Sequence, residues 1–194
     1  MKKIRSFLPA LAVLFLAISC KEKKKDGKED FFPAISFIKS QVAHVDTSLY
    51  SIIQLNIIDS TRTDTIYVPR EQFRSLAKDF LELPDISEKK LRAAYKEEKL
   101  FDETLNTVIL SYLPEKPGKQ TIHRQDVLIA PDPGGDKVKS IIIDYGWSNK
   151  DSAIEKKMLW QVDRSFQVTT IRQLPGQEES ITTTKVVWNE TDNP

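Results

Sequence analysis

Two histidines and one cysteine limit the nucleophilic and metal-binding chemistry open to this chain of 194 residues. A hydrolytic triad requires a histidine base beside a nucleophile and an orienting acid. Neither His44 nor His123 occurs in the context of a Gly-x-Ser-x-Gly nucleophile motif or of a His-Glu-x-x-His zinc motif. The single cysteine, Cys20, excludes an internal disulfide and a metal cluster built on cysteines. We therefore expect no metal, no cofactor and structural or surface roles for both histidines.

Ser-x-x-Lys motifs place a lysine one helical turn after a serine, as penicillin-binding enzymes do. Such motifs begin at Ser36 and Ser87, but the partner motifs Ser-Asp-Asn and Lys-Thr-Gly do not occur in the sequence. A position on a helix surface for Ser36 and a helix N-cap for Ser87 explain both matches without catalysis.

Carboxylates occur close together in two segments. Residues 132–136 are acidic and glycine-rich, but they lack the alternating ligands and the late glutamate of a calcium loop, so we expect a hairpin turn. Glu97 and Glu98 precede a second acidic pair at 102–103, which is close enough in sequence for acid–base chemistry. Neighbouring lysines instead indicate a solvated helix end.

Four aromatic residues in the C-terminal half are the best candidates for a ligand platform. Aromatic side chains along one face of a sheet can stack on sugar rings or line an apolar pocket. The same side chains also fill the interior of a domain built from a sheet and helices, and this is the simpler interpretation. The candidates are Tyr145, Trp147, Trp160 and Trp188.

The first 20 residues have the organisation of an export signal. Basic residues after Met1 precede an apolar run from Phe7 to Ile18, and small residues lead into Cys20. The run falls short of the ~20 residues that cross a bilayer as a helix. This pattern resembles the lipoprotein signals of Gram-negative bacteria, notably Bacteroidota, and the whole chain is similar to small lipoproteins of that group.

The resemblance implies cleavage after residue 19 and lipidation of Cys20, whereas a plain secretory signal is the alternative. It places the protein in the cell envelope, anchored to the outer membrane and facing the periplasm or the cell surface. Residues 21–30 contain no apolar side chain and predict a disordered tether. Cleavage changes the formal charge from +1 to −2, because three cations and no acid are lost. We therefore expect no nucleic-acid partner.

Three loop residues match a short acceptor motif for glycans. Ser60, Thr65 and Ser152 each follow an aspartate at a predicted turn or strand start. Their surroundings resemble the Asp-Ser/Thr acceptor for O-glycans in exported Bacteroidota proteins. O-glycosylation at these residues is a hypothesis, because so short a motif also arises by chance.

Residues 31–190 predict one α+β domain, followed by a disordered tail at 191–194. Apolar spacing of three and four residues indicates an N-terminal helix, and a short hairpin follows over residues 48–68. Two more helices are expected from Pro69 to residue 81 and over 87–99. They would pack on a C-terminal antiparallel meander of five or six strands, which could curl towards a half-barrel. The strand-like runs are 105–113, 120–129, 137–147, 154–162, 166–174 and 181–188.

These features lead to an expected function without a named partner. The lipid anchor, the tether and the lack of a catalytic motif favour a non-catalytic, membrane-tethered module that binds an envelope protein or a ligand. The alternative is a carrier for a small apolar or sugar ligand on the aromatic face of the sheet. An envelope hydrolase is the third interpretation.

Overall fold

A computed structural model describes residues 30–58 and 61–189. The predicted signal, Cys20, most of the tether, Ser60 and the C-terminal tail lie outside the described residues. The helices are α1 (Ala34–Thr47), α2 (Phe73–Leu76), α3 (Lys78–Leu81) and α4 (Lys89–Arg92), with a 3₁₀ turn at Arg70–Gln72. The strands are β1 (Ile52–Ile57), β2 (Thr63–Val68), β3 (Tyr95–Asp102), β4 (Thr107–Pro114), β5 (Ile122–Ala130), β6 (Lys137–Ser148), β7 (Ala153–Gln161), β8 (Ser165–Gln173) and β9 (Ser180–Val187).

All nine strands form one antiparallel sheet in the order β2-β1-β9-β8-β7-β6-β5-β4-β3. An α+β domain with helices and an antiparallel sheet was expected, but the sheet is larger than the predicted five or six strands. The N-terminal hairpin joins it because β1 pairs with β9, with Ile53 opposite Val187. Over the described residues the sheet stays open, and β2 and β3 are its two edges.

The predicted helix over 87–99 is wrong. One helical turn, Lys89–Arg92, is followed directly by β3, which pairs with β4 from Tyr95 opposite Pro114 to Asp102 opposite Thr107. The lysines and glutamates of this segment favour a helix by propensity, but pairing with β4 overrides that weak preference. This pairing also buries Tyr95, whose hydroxyl donates a hydrogen bond to the carbonyl of Ile122.

The six C-terminal runs are strands whose observed ends lie within two residues of the predicted ones. Their alternation also has the expected phase, because Met158, Trp160, Phe166 and Val168 are all buried. Since opposite residues in an antiparallel pair point to the same face, the pairing of Trp160 with Phe166 places both on the helix-covered face.

The helices cover that face with apolar side chains. Helix α1 buries Ile35, Ile38 and Val42 along one stripe. Farther along, Phe80 of α3 meets the edge of Trp160 at 5.2 Å between ring centroids, and Trp160 stacks on Phe166 at 5.3 Å. One continuous core therefore joins the helices to the middle of the sheet.

Helix α1 receives its N-terminal cap from a distant residue. Pro33 precedes the helix and makes no side-chain cap. The buried carboxylate of Asp85 instead accepts a hydrogen bond from the Ser36 backbone N–H at 3.2 Å. A negative charge at a helix N-terminus is favourable, so Asp85 fixes the start of α1 against the loop before α4.

A further property concerns membrane insertion. Among the residues that the structure describes, every helix is too short or too polar to traverse a bilayer.

Candidate functional site

A groove lies at one end of the sheet, where β5 begins and the β6–β7 hairpin turns. Its volume is about 320 Å³, and it runs between the loop at 118–121 and the strand ends. Its lining includes His123, Trp147, Ile154 and Glu155. Trp147 and Ile154 are opposite each other on one face of the β6–β7 pair, and Glu155 lies on the other face, so the groove borders the end of the sheet. Trp147 is 38% exposed, so a large aromatic surface is open to a bound molecule.

Glycine at position 146 shapes this groove. A Cβ atom on Gly146 would lie 2.7 Å from Cε1 of His123, so the imidazole packs directly over the backbone of β6. The Gly146 N–H donates a 2.8 Å hydrogen bond to the carbonyl of Thr121, which holds the loop against the strand. A glycine inside a strand often marks such a close approach, and this was the one sequence signal that could have found the groove.

A second cleft of about 480 Å³ adjoins the groove and shares Gly118 and His123 with it. Its walls also include Leu113, Pro114 and Pro117, so much of its surface is apolar. Gly118 has a φ of +77°, which favours glycine at this turn.

Lys96 brings a charge to the rim of the second cleft. Its ammonium donates a 2.6 Å hydrogen bond to Glu98, and this contact raises the pKa of Lys96. Lys119 and Glu155 both line the groove, so charges of both signs border the two cavities.

The four predicted platform aromatics separate into two groups. Trp147 lines the groove, and Tyr145 is partly buried next to it on the same strand. Trp160 and Trp188 are buried, at 0% and 3% exposure, because Phe73 and Phe80 of the helices pack against them. These two tryptophans therefore fill the core, and only the Tyr145–Trp147 end of the platform is open to a ligand.

The two histidines lie apart. His44 is exposed on α1, with its ring 6.3 Å from that of Tyr50 in an edge-on arrangement. His123 is exposed in the groove, where Glu155 is also exposed. The structure thus places one histidine at a cavity and the other on an open helix surface.

Ser36 and Ser87, each of which begins a Ser-x-x-Lys motif, contact the same carboxylate. The Ser36 hydroxyl donates to Oδ2 of Asp85 at 3.0 Å, and the Ser87 hydroxyl donates to Oδ1 at 2.7 Å. These contacts join α1 to the turn before α4. The motifs are therefore explained by a structural network around Asp85.

The acidic segments adopt two different arrangements. Glu97 and Glu98 lie on a strand instead of a helix end, so their side chains point to opposite faces of the sheet. Asp132 accepts hydrogen bonds from the Gly134 N–H at 2.8 Å and from Lys137 at 2.7 Å, and the contact with Lys137 lowers the pKa of Asp132. Across the described segments, no three histidine, cysteine, aspartate or glutamate side chains are grouped to hold a metal ion.

Two of the three predicted glycan acceptors lie within the described residues. Thr65 is exposed on the edge strand β2. Ser152 is partly buried in the β6–β7 turn, where its N–H donates to Oδ1 of Asn149 at 2.8 Å.

Two buried polar residues at the centre of β5 were also not predicted from the sequence. The amide of Gln125 is fully buried and makes no hydrogen bond within the described structure. On the opposite face, Asp126 accepts a 2.7 Å hydrogen bond from Arg124, whose pKa this contact raises. Neither residue belongs to a motif, so nothing in the sequence singled them out.

The groove and the neighbouring cleft form the candidate site on geometric grounds. Their walls combine one open tryptophan, one imidazole, an apolar patch and charges of both signs. Comparisons with protein-family models, with curated proteins and with solved structures find no match to this chain.

Proposed function

We propose that this protein is a lipid-anchored binding module of the cell envelope, which holds a protein partner in the groove beside Trp147. The observation that carries the proposal is the open aromatic surface of Trp147 at a preformed groove of about 320 Å³. Tryptophan is enriched among the residues that dominate binding energy at protein interfaces, especially where the surrounding pocket excludes water.

The charges around the groove support a polar peptide surface as the occupant. Lys119 and Glu155 line the groove and Lys96 lines the adjoining cleft, so a partner segment that carries charges of both signs would fit. Such rim charges act mainly on the association rate and the orientation of the partner. The buried part of the contact would come from Trp147 and Ile154.

The proposed anchor limits where the partner can be. The segment that follows the tether is fixed on the sheet, because the Phe32 N–H donates to the Tyr112 hydroxyl at 2.9 Å and Phe31 packs on the same ring. If Cys20 is lipidated, the ten residues up to Asp30 extend over at most about 35 Å. The proposal therefore concerns a partner that is itself at the membrane surface.

Thiol footprinting in native membranes tests this function. Lys119→Cys places a thiol in the groove, and Asp136→Cys places one at the opposite end of the sheet as a control. We expect a membrane-impermeant maleimide to label Lys119→Cys more slowly in native membranes than in the purified protein, with equal rates for Asp136→Cys. Equal rates for both variants in both preparations would contradict the proposal.

A carrier function is the second candidate, and the apolar cleft of about 480 Å³ favours it. Leu113, Pro114 and Pro117 would contact a small apolar ligand there. Mass spectrometry of the native protein should then detect a co-purifying molecule that is lost in Leu113→Asp. A ligand-free native protein would count against this candidate.

A further inference from the structure

Strand β3 is an open edge of the sheet with an unusual charge pattern. It pairs with β4 on one side and has no neighbouring strand on the other within the described residues. Its sequence from Lys96 to Lys99 is Lys-Glu-Glu-Lys, and Leu100 and Phe101 follow with exposures of 63% and 49%. An open edge with exposed apolar side chains can accept another strand.

The hydrogen-bond pattern between β3 and β4 determines which backbone groups of β3 point away from β4. The Glu115 N–H donates to the carbonyl of Ala94 at 2.9 Å, in the same register that pairs Tyr95 with Pro114. Hydrogen-bonded pairs alternate in an antiparallel ladder, so Lys96, Glu98 and Leu100 bond to β4. The backbone N–H and C=O groups of Glu97, Lys99 and Phe101 therefore point to the open edge.

We propose that β3 pairs antiparallel with β3 of a second copy of this chain, with Glu97 opposite Lys99 and Glu98 on the two-fold axis. This inference does not depend on the groove. Glu97 and Lys99 point to the same face of the sheet, so each dimer gains two opposite-charge cross-strand pairs. The outward backbone groups of the same two residues supply the hydrogen bonds of the new ladder.

Neighbouring registers fit less well. A two-fold axis perpendicular to the sheet leaves the same face of both copies on one side of the combined sheet. The register can therefore shift only in steps that keep each side chain on its own face. Placing the axis at Glu97 brings two Glu97 carboxylates together, and its Lys96–Glu98 pairs add little because these residues already bond within each copy. Placing the axis at Lys99 brings two ammonium groups together. With the axis at Glu98, the repulsion between two carboxylates is offset because each already bonds to Lys96 at 2.6 Å.

One apolar contact favours the same register. With the axis at Glu98, the exposed Leu100 of one copy comes to lie along the stem of Lys96 of the other. The opposite edge, β2, contains only one charged residue, Asp64, and offers no such complementary pattern. Since the β3 contact is isologous, it closes as a dimer and does not extend into a filament.

Charge exchange tests the register on the full chain with Cys20→Ala. Glu97→Lys and Lys99→Glu should each weaken dimerisation roughly tenfold or more in sedimentation equilibrium. The double variant should restore it, because the pairs form again with reversed sign. Glu97 also lies beside the Tyr112 hydroxyl, so thermal unfolding of each variant checks that the fold is kept. Equal association of all four proteins, or a monomer throughout, would overturn the proposal.

Disulfide formation at the axis gives an independent readout in the same background, where an introduced cysteine is the only thiol. Glu98→Cys should oxidise to a covalent dimer, because the residues facing each other at a non-hydrogen-bonded position are within disulfide reach. Lys96→Cys is the matched control on the same face and should stay monomeric, since its counterpart lies four positions away along the strand. Crosslinking of Lys96→Cys would overturn the proposed register. Crosslinking of Thr65→Cys on β2, with none of Glu98→Cys, would overturn the choice of β3 as the pairing edge.

Discussion

Replacing Asp85 with asparagine should destabilise the fold although the side-chain shape is nearly unchanged. Each carboxylate oxygen of Asp85 accepts two hydrogen bonds. Oδ2 bonds the Ser36 N–H and hydroxyl at 3.2 and 3.0 Å, and Oδ1 bonds the Ser87 N–H and hydroxyl at 3.1 and 2.7 Å. Asparagine keeps one acceptor oxygen and presents an NH₂ group to the other two donors.

The magnitude follows from those contacts. Two hydrogen bonds to a charged acceptor are lost, and each contributes about 1.5–3 kcal/mol in a buried setting. Asp85 is only 8% exposed, so water replaces few of these bonds. The α1 N-terminus also loses a favourable charge, worth about 0.3–1 kcal/mol. Allowing for adjustment of the two hydroxyls, we expect Asp85→Asn to lower the free energy of unfolding by about 3 kcal/mol.

Urea denaturation followed by tryptophan fluorescence measures this change. Asp46→Asn is the matched control, because the 2.7 Å pair of Asp46 with Arg74 is largely exposed and should contribute under about 1 kcal/mol. Ser36→Ala should cost about 1 kcal/mol in the native background and less when combined with Asp85→Asn, since the two residues share one network. A loss for Asp85→Asn no larger than that of the control would refute this reasoning.

Further predictions concern the core, the groove and two tyrosines. Trp160→Ala should lower the free energy of unfolding by about 3–5 kcal/mol and Trp147→Ala by under about 1 kcal/mol in the same urea assay, because only the first ring is packed in the core. Gly146→Ala should displace the ring of His123, because Cε1 of that ring lies 2.7 Å from the added Cβ. A changed imidazole NMR shift would reveal the displacement, and the free energy of unfolding should fall by under about 1 kcal/mol. Burial raises the pKa of Tyr95 to about 12 and also raises the pKa of Tyr112. Both neutral phenols therefore stabilise the fold fully below the unfolded pKa of about 10. This stabilisation is lost as the pH rises through the folded pKa values. Tyrosinate absorbance should accordingly show these two rings titrating above the ordinary phenol pKa of about 10, and titration of both at that ordinary value would contradict the burial argument.

The meander could be predicted from sequence because its strands are short, β-rich and separated by clear turn residues. Pro117-Gly118 lies between β4 and β5, and Pro175-Gly176 lies between β8 and β9, so both turns mark strand ends. Simple alternation predicted that Trp160 and Phe166 point to the buried face. These are local signals. Each can be read without knowledge of the rest of the chain.

The missed features depend on contacts between distant segments. Strand β3 has the composition of a helix, and only pairing with β4 makes it a strand. The hairpin β1–β2 joins the sheet because β9 pairs with β1. The two strands are far apart in sequence, with 128 residues separating Asn56 from its partner Thr184. Likewise, Trp160 and Trp147 look equivalent in sequence, and only the position of Phe80 decides that the first is covered.

Photo-crosslinking in native membranes tests most directly the central claim that the groove beside Trp147 holds a partner. A photo-reactive phenylalanine analogue replaces Trp147 in one variant and Asp136, at the opposite end of the sheet, in another. We expect a discrete protein adduct from position 147 in the membrane fraction, absent from position 136 and lost when Leu113→Asp and Ile154→Asp disrupt the two cavities. Illumination that yields no adduct at position 147, or the same adducts from both positions, would contradict it.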